Sequence, residues 1–383
     1  MKQILLDATP YNAQNLTGAG RIVYHLFEHL AKIDRENRYL VFGFAPEIWP
    51  AERLPENFSY RQLRLRRWLG PLAMEAARRW FVERHALSYR VDLLHCTLEM
   101  VPLYDERAKV LFSLYDLARW SPHFLYSAPS SLRSMLRTRL RYSLARRADL
   151  LHTISEFSAD EIARQLKIDR ARIRVIYPGC NPLFTPGAAD PETLRKNGLY
   201  ETRYLLFVGE FGRQKNEDGL IRAYFAARAE RGLPSEIKLA LVGDVENLTE
   251  GTRILLAHHE FAADVHFLGR APDEELVHLY RGATAFVLPS FYEGFGLPAL
   301  EAMACGAPPV VTRATSLPEV VGDAGLLVTP GKVAELAEAL SSVSQDRELR
   351  ARLSARALER SRRFTFTAMA KAQHDLYLEM TNG

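Results

Sequence analysis

The stretch Pro289-Ser-Phe-Tyr-Glu-Gly-Phe-Gly-Leu-Pro-Ala-Leu-Glu-Ala-Met-Ala-Cys-Gly306 decides how the rest of the chain is read. The apolar run Ala285-Phe-Val-Leu-Pro289 predicts a strand, the glycines that follow predict a loop, and Pro298 in a first turn with Gly306 at the far end predicts a helix between them. A strand, a glycine loop and a helix in that order put the helix N-terminus at the carboxyl end of the strand. The loop backbone of Gly294, Phe295, Gly296 and Leu297, with the positive end of the helix dipole behind it, forms a site for a phosphate. Glu301, read as lying on the first turn of that helix, is placed to reach the sugar hydroxyls of a nucleotide. Glu293, in the loop, is placed to hold hydroxyls of whatever follows the phosphates. Taken alone, Glu301 reads equally as a favourable first-turn acid.

A second unit of the same kind lies upstream, in Val208-Gly-Glu-Phe-Gly-Arg-Gln-Lys-Asn216, where a strand again meets a glycine loop and a helix start. Gly209 opens that loop, and Arg213 and Lys215 stand at its mouth; two fixed cations neutralise a pyrophosphate without a metal. No Asp-x-Asp occurs in the chain, and no histidine cluster has zinc spacing, so no metal and no other cofactor is expected.

Around these two units the alternation of apolar strand and helical sequence continues. Strands are predicted at 204–208, 238–242, 265–268, 285–289, 309–312 and 325–328, with helices between them, notably over 273–282 and 332–344. The first half carries its own set, at 4–6, 39–44, 91–95, 110–114, 150–153 and 174–177; the first of these leads through Gly18 and Gly20 into a helix with Ile22, Leu26, Phe27 and Leu30 on one face. Such continuous apolar runs suit parallel sheets covered on both faces. Between the two sets, 178–191 is the richest breaker segment in the chain. The expected architecture is therefore α/β, with two doubly wound Rossmann-like domains at 1–184 and 185–366 and a cleft between them at the strands' carboxyl ends. A last amphipathic helix, 367–383, carries Met369, Ala372, Leu376, Tyr377 and Met380 and is expected to pack back on the first domain.

Composition agrees with this division. At 383 residues the chain exceeds what one core usually supports, and 48% hydrophobic with 25% charged residues excludes a disordered or collagen-like chain. No apolar run is long enough for a membrane helix, and the run after Met1 stops at Asp7, too short for a signal peptide, so a cytoplasmic protein is expected. Cys96, Cys180 and Cys305 are read as free thiols. The net charge of +4 is uneven, with residues 1–190 basic and the remainder acidic. The arginines of 61–67, 78–79 and 133–147 carry that excess and are compatible with peripheral membrane association; no recognition motif for nucleic acid accompanies them.

Together these stretches resemble the retaining glycosyltransferases of family 4, nucleotide-sugar enzymes of GT-B architecture. The main signature is a pair of glutamates separated by seven residues, met by Glu293 and Glu301; Gly306-Ala-Pro308, Ser316-Leu-Pro-Glu319, Gly322-Asp-Ala-Gly325, Gly243 and Phe267-Leu-Gly269 also match. In the first domain the resemblance is carried by Thr17-Gly-Ala-Gly-Arg21, Tyr115-Asp-Leu117, Thr153-Ile-Ser-Glu-Phe-Ser158 and 177–184. The resemblance implies transfer of a hexose, mannose from GDP-mannose, from a nucleotide-sugar donor to a glycan or lipid-linked acceptor with retention of configuration. The donor would belong to the second domain and the acceptor mostly to the first. Arg213 and Lys215 would stabilise the leaving pyrophosphate, Glu293 would hold the transferred sugar, and Glu301 the ribose. Tyr115 and Asp116 would stand beside the transferred sugar, and Gly18 and Gly20 beside the donor.

Two departures from the family pattern stand out. Tyr115 occupies the place of a usual histidine before Asp116, and a phenol with an ordinary pKa of about 10 cannot replace a titrating imidazole near neutral pH. His95, His123 and His152 are the possible stand-ins. Gln214 occupies the usual arginine position, with Arg213 displaced by one. With Tyr115 in that place, a catalytically impaired sugar-nucleotide-binding protein is the alternative, as is an epimerase or hydrolase of the same architecture.

Overall fold

The computed structural model describes residues 1–9, 18–44, 55–62, 90–97, 108–118, 142–143 and 145–382. Their contacts divide into two units. The first comprises Met1–Leu117, Ser130–Gly179 and Thr365–Gly383; the second comprises Ala118–Pro129 and Cys180–Phe364.

In the first unit, β1 (Gln3–Asp7), β2 (Arg38–Gly43), β3 (Phe58–Gln62), β4 (Leu93–Thr97), β5 (Lys109–Ser113), β6 (Leu150–Thr153) and β7 (Ile173–Val175) form one sheet in the order β3-β2-β1-β4-β5-β6-β7. Every neighbouring pair is parallel. Helix α1 (Gly18–Ile33) buries Ile22, Val23, Leu26, Phe27 and Leu30. Helix α2 (Glu156–Leu166) starts at Ser155, whose hydroxyl accepts from the Ser158 amide at 3.0 Å, the side-chain cap that a helix start calls for.

The second unit opens on α3 (Pro191–Lys196) and holds β8 (Arg203–Val208), α4 (Glu217–Glu230), β9 (Ile237–Val242), α5 (Glu250–His258), β10 (Val265–Gly269), α6 (Asp273–Gly282), β11 (Ala285–Leu288), α7 (Leu297–Ala304), β12 (Pro309–Thr312), α8 (Leu317–Val321), β13 (Leu326–Val328), α9 (Val333–Gln345) and α10 (Arg347–Ser361). Its sheet runs β10-β9-β8-β11-β12-β13, again all parallel. The strands are buried almost throughout, which is why their sequences read as unbroken apolar runs. In each sheet the order reverses beside the first strand, between β1 and β4 and between β8 and β11, and the carboxyl ends there are where ligands enter such folds.

Helix α11 (Phe366–Asn382) belongs to the first unit. Its buried face is Phe366, Met369, Ala370, Gln373, Leu376, Tyr377 and Met380; Ala372, expected on that face, is exposed.

The breaker segment after Gly179 is not a free linker. Asn181 donates to Asp273 Oδ2 at 3.1 Å, Arg281 donates to the Thr185 carbonyl at 2.8 Å, and the Asp190 amide donates to His278 Nδ1 at 3.1 Å, so the segment lies along α6. Among the described residues no helix is long and apolar enough to cross a membrane. Thr17, His123, Arg78, Arg79 and most of the arginine-bearing stretches 61–67 and 133–147 lie outside the described residues.

Candidate active site

The loops after β8 and β11 are tied to each other at the reversal point of the second sheet. The Phe291 amide donates to the Gln214 carbonyl at 2.8 Å, Gln214 Nε2 donates to the Tyr292 carbonyl at 3.0 Å, and Asn216 Nδ2 donates to the Pro289 carbonyl at 3.1 Å. Gln214 is thus a structural pin between the two loops, while Arg213 beside it is exposed and has no partner among the described residues.

Across this junction Lys215 Nζ lies 2.7 Å from Glu293 Oε1. Ser290 donates to the same oxygen at 2.7 Å, so two donors converge on Oε1 and Oε2 has no partner among the described residues. Glu293 is 6% exposed. Its backbone is also held: the amide donates to Thr315 Oγ1 at 3.0 Å, and Ser316 Oγ donates to the carbonyl at 2.9 Å. A carboxylate fixed in this way keeps one oxygen directed for a further hydrogen bond at no extra ordering cost.

The loop expected to receive a phosphate follows directly. Gly296 sits before α7 with φ +99, a left-handed conformation that favours glycine, and a Cβ there would come within 2.7 Å of Leu317. The first amides of the helix have no acceptor within it; Pro298 has no N–H, so Gly296 and Leu297 supply the donors at this end. Phe295 is buried, its ring edge-on to that of Phe364 with centroids 5.6 Å apart. Gly209 opens the other loop, its amide donating to Val242 at 3.0 Å. Gly243 packs so closely behind it that a Cβ would sit 2.3 Å from the Gly209 carbonyl oxygen.

Glu301 corrects one expectation. Helix α7 begins at Leu297, so Glu301 is its fifth residue and not a first-turn acid. It is 8% exposed, and Oε2 accepts from Tyr280 Oη at 3.0 Å. The electrostatic imprint of its charge is clear on its neighbours: burial, then Glu301, push the Tyr280 phenol and the Cys180 thiol well up, and burial takes the Cys305 thiol up to about 12. These groups stay protonated, and the three cysteines are free.

Sequence reasoning missed Tyr280, Ser290 and Thr315 as partners of the two glutamates, and it missed Glu217. Glu217 is fully buried; its Oε2 accepts from the Gly212 amide at 2.9 Å, and burial raises its carboxyl above the ordinary range. The Gly212 carbonyl in turn accepts from the Lys215 and Asn216 amides, at 2.9 and 3.2 Å, so Glu217 closes the cation loop on itself.

Tyr115, Asp116, Gly18 and Gly20 belong to the first unit, Glu293 and Glu301 to the second. Gly18 and Gly20 form the first turn of α1. Tyr115 is 3% exposed and follows β5; its carbonyl accepts from Thr153 Oγ1 at 2.9 Å, and among the described residues its buried hydroxyl is close to Ser113 without forming a well-aligned hydrogen bond. Burial, then the Asp7 charge, raise that phenol further from neutrality, so Tyr115 does not do a histidine's proton transfer. His95 and His152 are no replacement, because both are fully buried.

Two family models match the chain in succession, Glycosyltransferase Family 4 over residues 16–182 and Glycosyl transferases group 1 over residues 190–360. The O-antigen chain mannosyltransferase B of Escherichia coli is 32% identical over 368 residues, spanning 92% of this chain and 93% of that protein. The chain belongs to glycosyltransferase family 4. A D-inositol 3-phosphate glycosyltransferase of Corynebacterium jeikeium is 34% identical over 61% of this chain and 58% of its own. Among solved structures, sucrose-phosphate synthase from Thermosynechococcus elongatus aligns over 99% of both chains with a TM-score of 0.75 at 22% identity. Anabaena Alr3699/HepE, solved with UDP and glucose, aligns over 99% of this chain and 100% of its own with a TM-score of 0.72 at 20% identity. These neighbours share the GT-B fold, and this glycosyltransferase has it too.

Proposed function

We propose that this glycosyltransferase takes a hexose from a nucleoside diphosphate sugar, with mannose from GDP-mannose as the favoured donor, and adds it with retention of configuration to a glycan or lipid-linked acceptor of a surface polysaccharide. The observation that carries the reading is the Lys215–Glu293 pair at the reversal point of the second sheet, flanked by the Gly296–Leu297 amides. The cation and the amides suit a diphosphate, and the Glu293 oxygen left without a partner among the described residues suits a sugar hydroxyl. The lean to mannose is supported by the E. coli relative, named a mannosyltransferase, and by the serotype-specific mannosyltransferase WbdA, 27% identical over 76% of this chain.

In this reading Lys215 and the loop amides neutralise the charge that builds on the leaving diphosphate. The acceptor hydroxyl attacks on the face from which the phosphate departs, and the phosphate oxygen takes its proton, so no carboxylate pair of glycosidase type is needed. Metal-independence follows from the cation loop, and Arg213, exposed beside Lys215, adds charge when the donor arrives. Tyr115 and Asp116, supplied by the first unit, stand beside the transferred sugar on the side from which the acceptor comes. A lipid-linked acceptor would bring the protein to an anionic membrane surface through its basic half.

The test is acceptor-dependent release of nucleoside diphosphate from a panel of GDP- and UDP-sugars, with anomeric configuration read by NMR. Turnover of GDP-mannose to an α-linked product is expected. Binding of donors without turnover of any would instead make the protein a sugar-nucleotide-binding one, and turnover restricted to a UDP-sugar would overturn the donor assignment.

A further inference from the structure

Behind Tyr115 the first unit carries a chain of buried polar side chains that the proposed reaction does not use. Tyr377 Oη lies 2.6 Å from His95 Nδ1, His95 Nε2 lies 2.7 Å from Ser113 Oγ, and Ser113 Oγ lies 2.8 Å from His152 Nδ1. His152 Nε2 ends the chain, 3.4 Å from the Ile176 carbonyl oxygen. All four side chains are fully buried, and they run from α11 across β4, β5 and β6 to the end of β7.

The protons in this chain can be assigned from its end. A carbonyl only accepts, so His152 Nε2 carries the hydrogen. Burial depresses the His152 pKa to about 4 and that of His95 well below its usual value, so each ring is neutral and its other nitrogen is an acceptor. Ser113 therefore donates to His152 Nδ1 and accepts from His95 Nε2–H, and Tyr377, whose phenol burial keeps protonated, donates to His95 Nδ1. The reverse arrangement would set a nitrogen lone pair against the Ile176 oxygen in a buried place.

The chain ends under Tyr115. The His152 ring stands edge-on to the Tyr115 ring, with centroids 5.9 Å apart and planes at 76°. The backbone beside it is fixed to the same strand: the Leu114 amide donates to the His152 carbonyl at 2.9 Å, and Thr153 Oγ1 donates to the Tyr115 carbonyl. We propose that Tyr377, acting through His95, Ser113 and His152, is a positioning residue for Tyr115 and Asp116. The final helix of the chain thereby sets the geometry of the acceptor side. This rests on the reading of Tyr115 and Asp116 as acceptor-side residues; the hydrogen-bond order itself does not. Among the described residues the titratable groups facing the chain are Tyr115 and, beyond it, Asp7 of β1, with Tyr39 of β2 beside Tyr377, ring centroids 6.5 Å apart.

The order is tested on the full chain labelled with 15N-histidine. Wild-type His95 and His152 should both show the neutral Nε2–H tautomer and should not titrate between pH 7 and pH 5; an Nδ1–H tautomer or a titration in that range overturns the chain. The positioning role is tested by Tyr377→Phe, which keeps the ring and removes the first proton donor. It should shift the His95 and His152 resonances and lower kcat for GDP-mannose with a mannosyl-oligosaccharide acceptor by roughly tenfold to a hundredfold, with donor KM unchanged. Tyr224→Phe is the control: Tyr224 is equally buried but lies in the second unit and donates to the Ile237 carbonyl at 2.7 Å, so it should cost stability while leaving kcat and both histidines as they are. Should Tyr377→Phe fail to fold, the wild-type tautomers still decide the chain. Unchanged kcat in a folded Tyr377→Phe overturns the positioning role. So does an absence of effect from both Tyr115→Phe and Asp116→Asn, which removes its target and falls on the functional reading rather than on the tautomers.

Discussion

The two sheets share one strand order through their first six positions, yet the carboxyl ends at their reversal points carry different chemistry. In the second unit that place holds a charged pair, Lys215 and Glu293, and a buried carboxylate, Glu301, that accepts from a phenol of α6. In the first it holds Asp7, whose oxygens accept from the Thr9 and Thr97 amides, and behind Tyr115 a neutral run of imidazole, hydroxyl and phenol. The fold thus sets where a ligand arrives, and the loop residues set what it is. A polyanion needs fixed cations and free amides, whereas a hydroxyl acceptor needs directed neutral or weakly polar surroundings.

The largest effect that bears on this contrast is Lys215→Ala. In the proposed function it removes the cation beside the leaving diphosphate, whose charge grows as the bond breaks, so kcat should fall by about 10²–10³-fold, with a smaller change in donor KM. Single-turnover kinetics would separate the two; a change confined to KM would mean that Lys215 holds only the ground state.

A smaller effect distinguishes the units by acid. His152 titrates at about 4 when folded and near 6.5 when unfolded, so between those values the unfolded chain takes up a proton that the folded one refuses. The first unit therefore loses stability as pH falls from about 6.5 towards 4, by up to about 3 kcal/mol for this residue; His95 and His25, also depressed by burial, add the same sign. In the second unit His266 shares that sign, but Glu217 opposes it, because its raised folded pKa means that its burial is relieved by acid. Hydrogen exchange at pH 7 and pH 5 should show amides of β5 and β6 losing protection before those of β8 and β9. Equal losses would remove the distinction.

The buried parallel strands were readable because each is apolar on both faces; β11 to β12, with the glycine loop between, could be placed to within a residue. Strand β3 was not read. It is an edge strand whose residues Phe58-Ser-Tyr-Arg-Gln62 are buried only at Phe58, so the apolar run that announces the others is missing. The position of Glu301 slipped because Pro298 suits either of the first two helix positions, and the actual start at Leu297 moves the glutamate to the second turn. Within the site, residues on the two loops were visible through their spacing. Their supports were not: Tyr280 meets Glu301 across 21 residues, and Tyr377 meets His95 across 282. No local pattern encodes such pairs, since tertiary packing alone brings them together.

The central claim is that the two glutamates hold different parts of one donor, and nucleotide affinity of their variants tests it most directly. Calorimetric titration of GDP and UDP into Glu301→Ala should show affinity reduced by about 1.5–3 kcal/mol, the loss of charged hydrogen bonds to ribose hydroxyls. Glu293→Ala should bind the free nucleotide nearly as the unaltered protein does, while use of the complete sugar donor collapses, because its partner is absent from the free nucleotide. Loss of nucleotide binding as severe in Glu293→Ala as in Glu301→Ala would contradict the account.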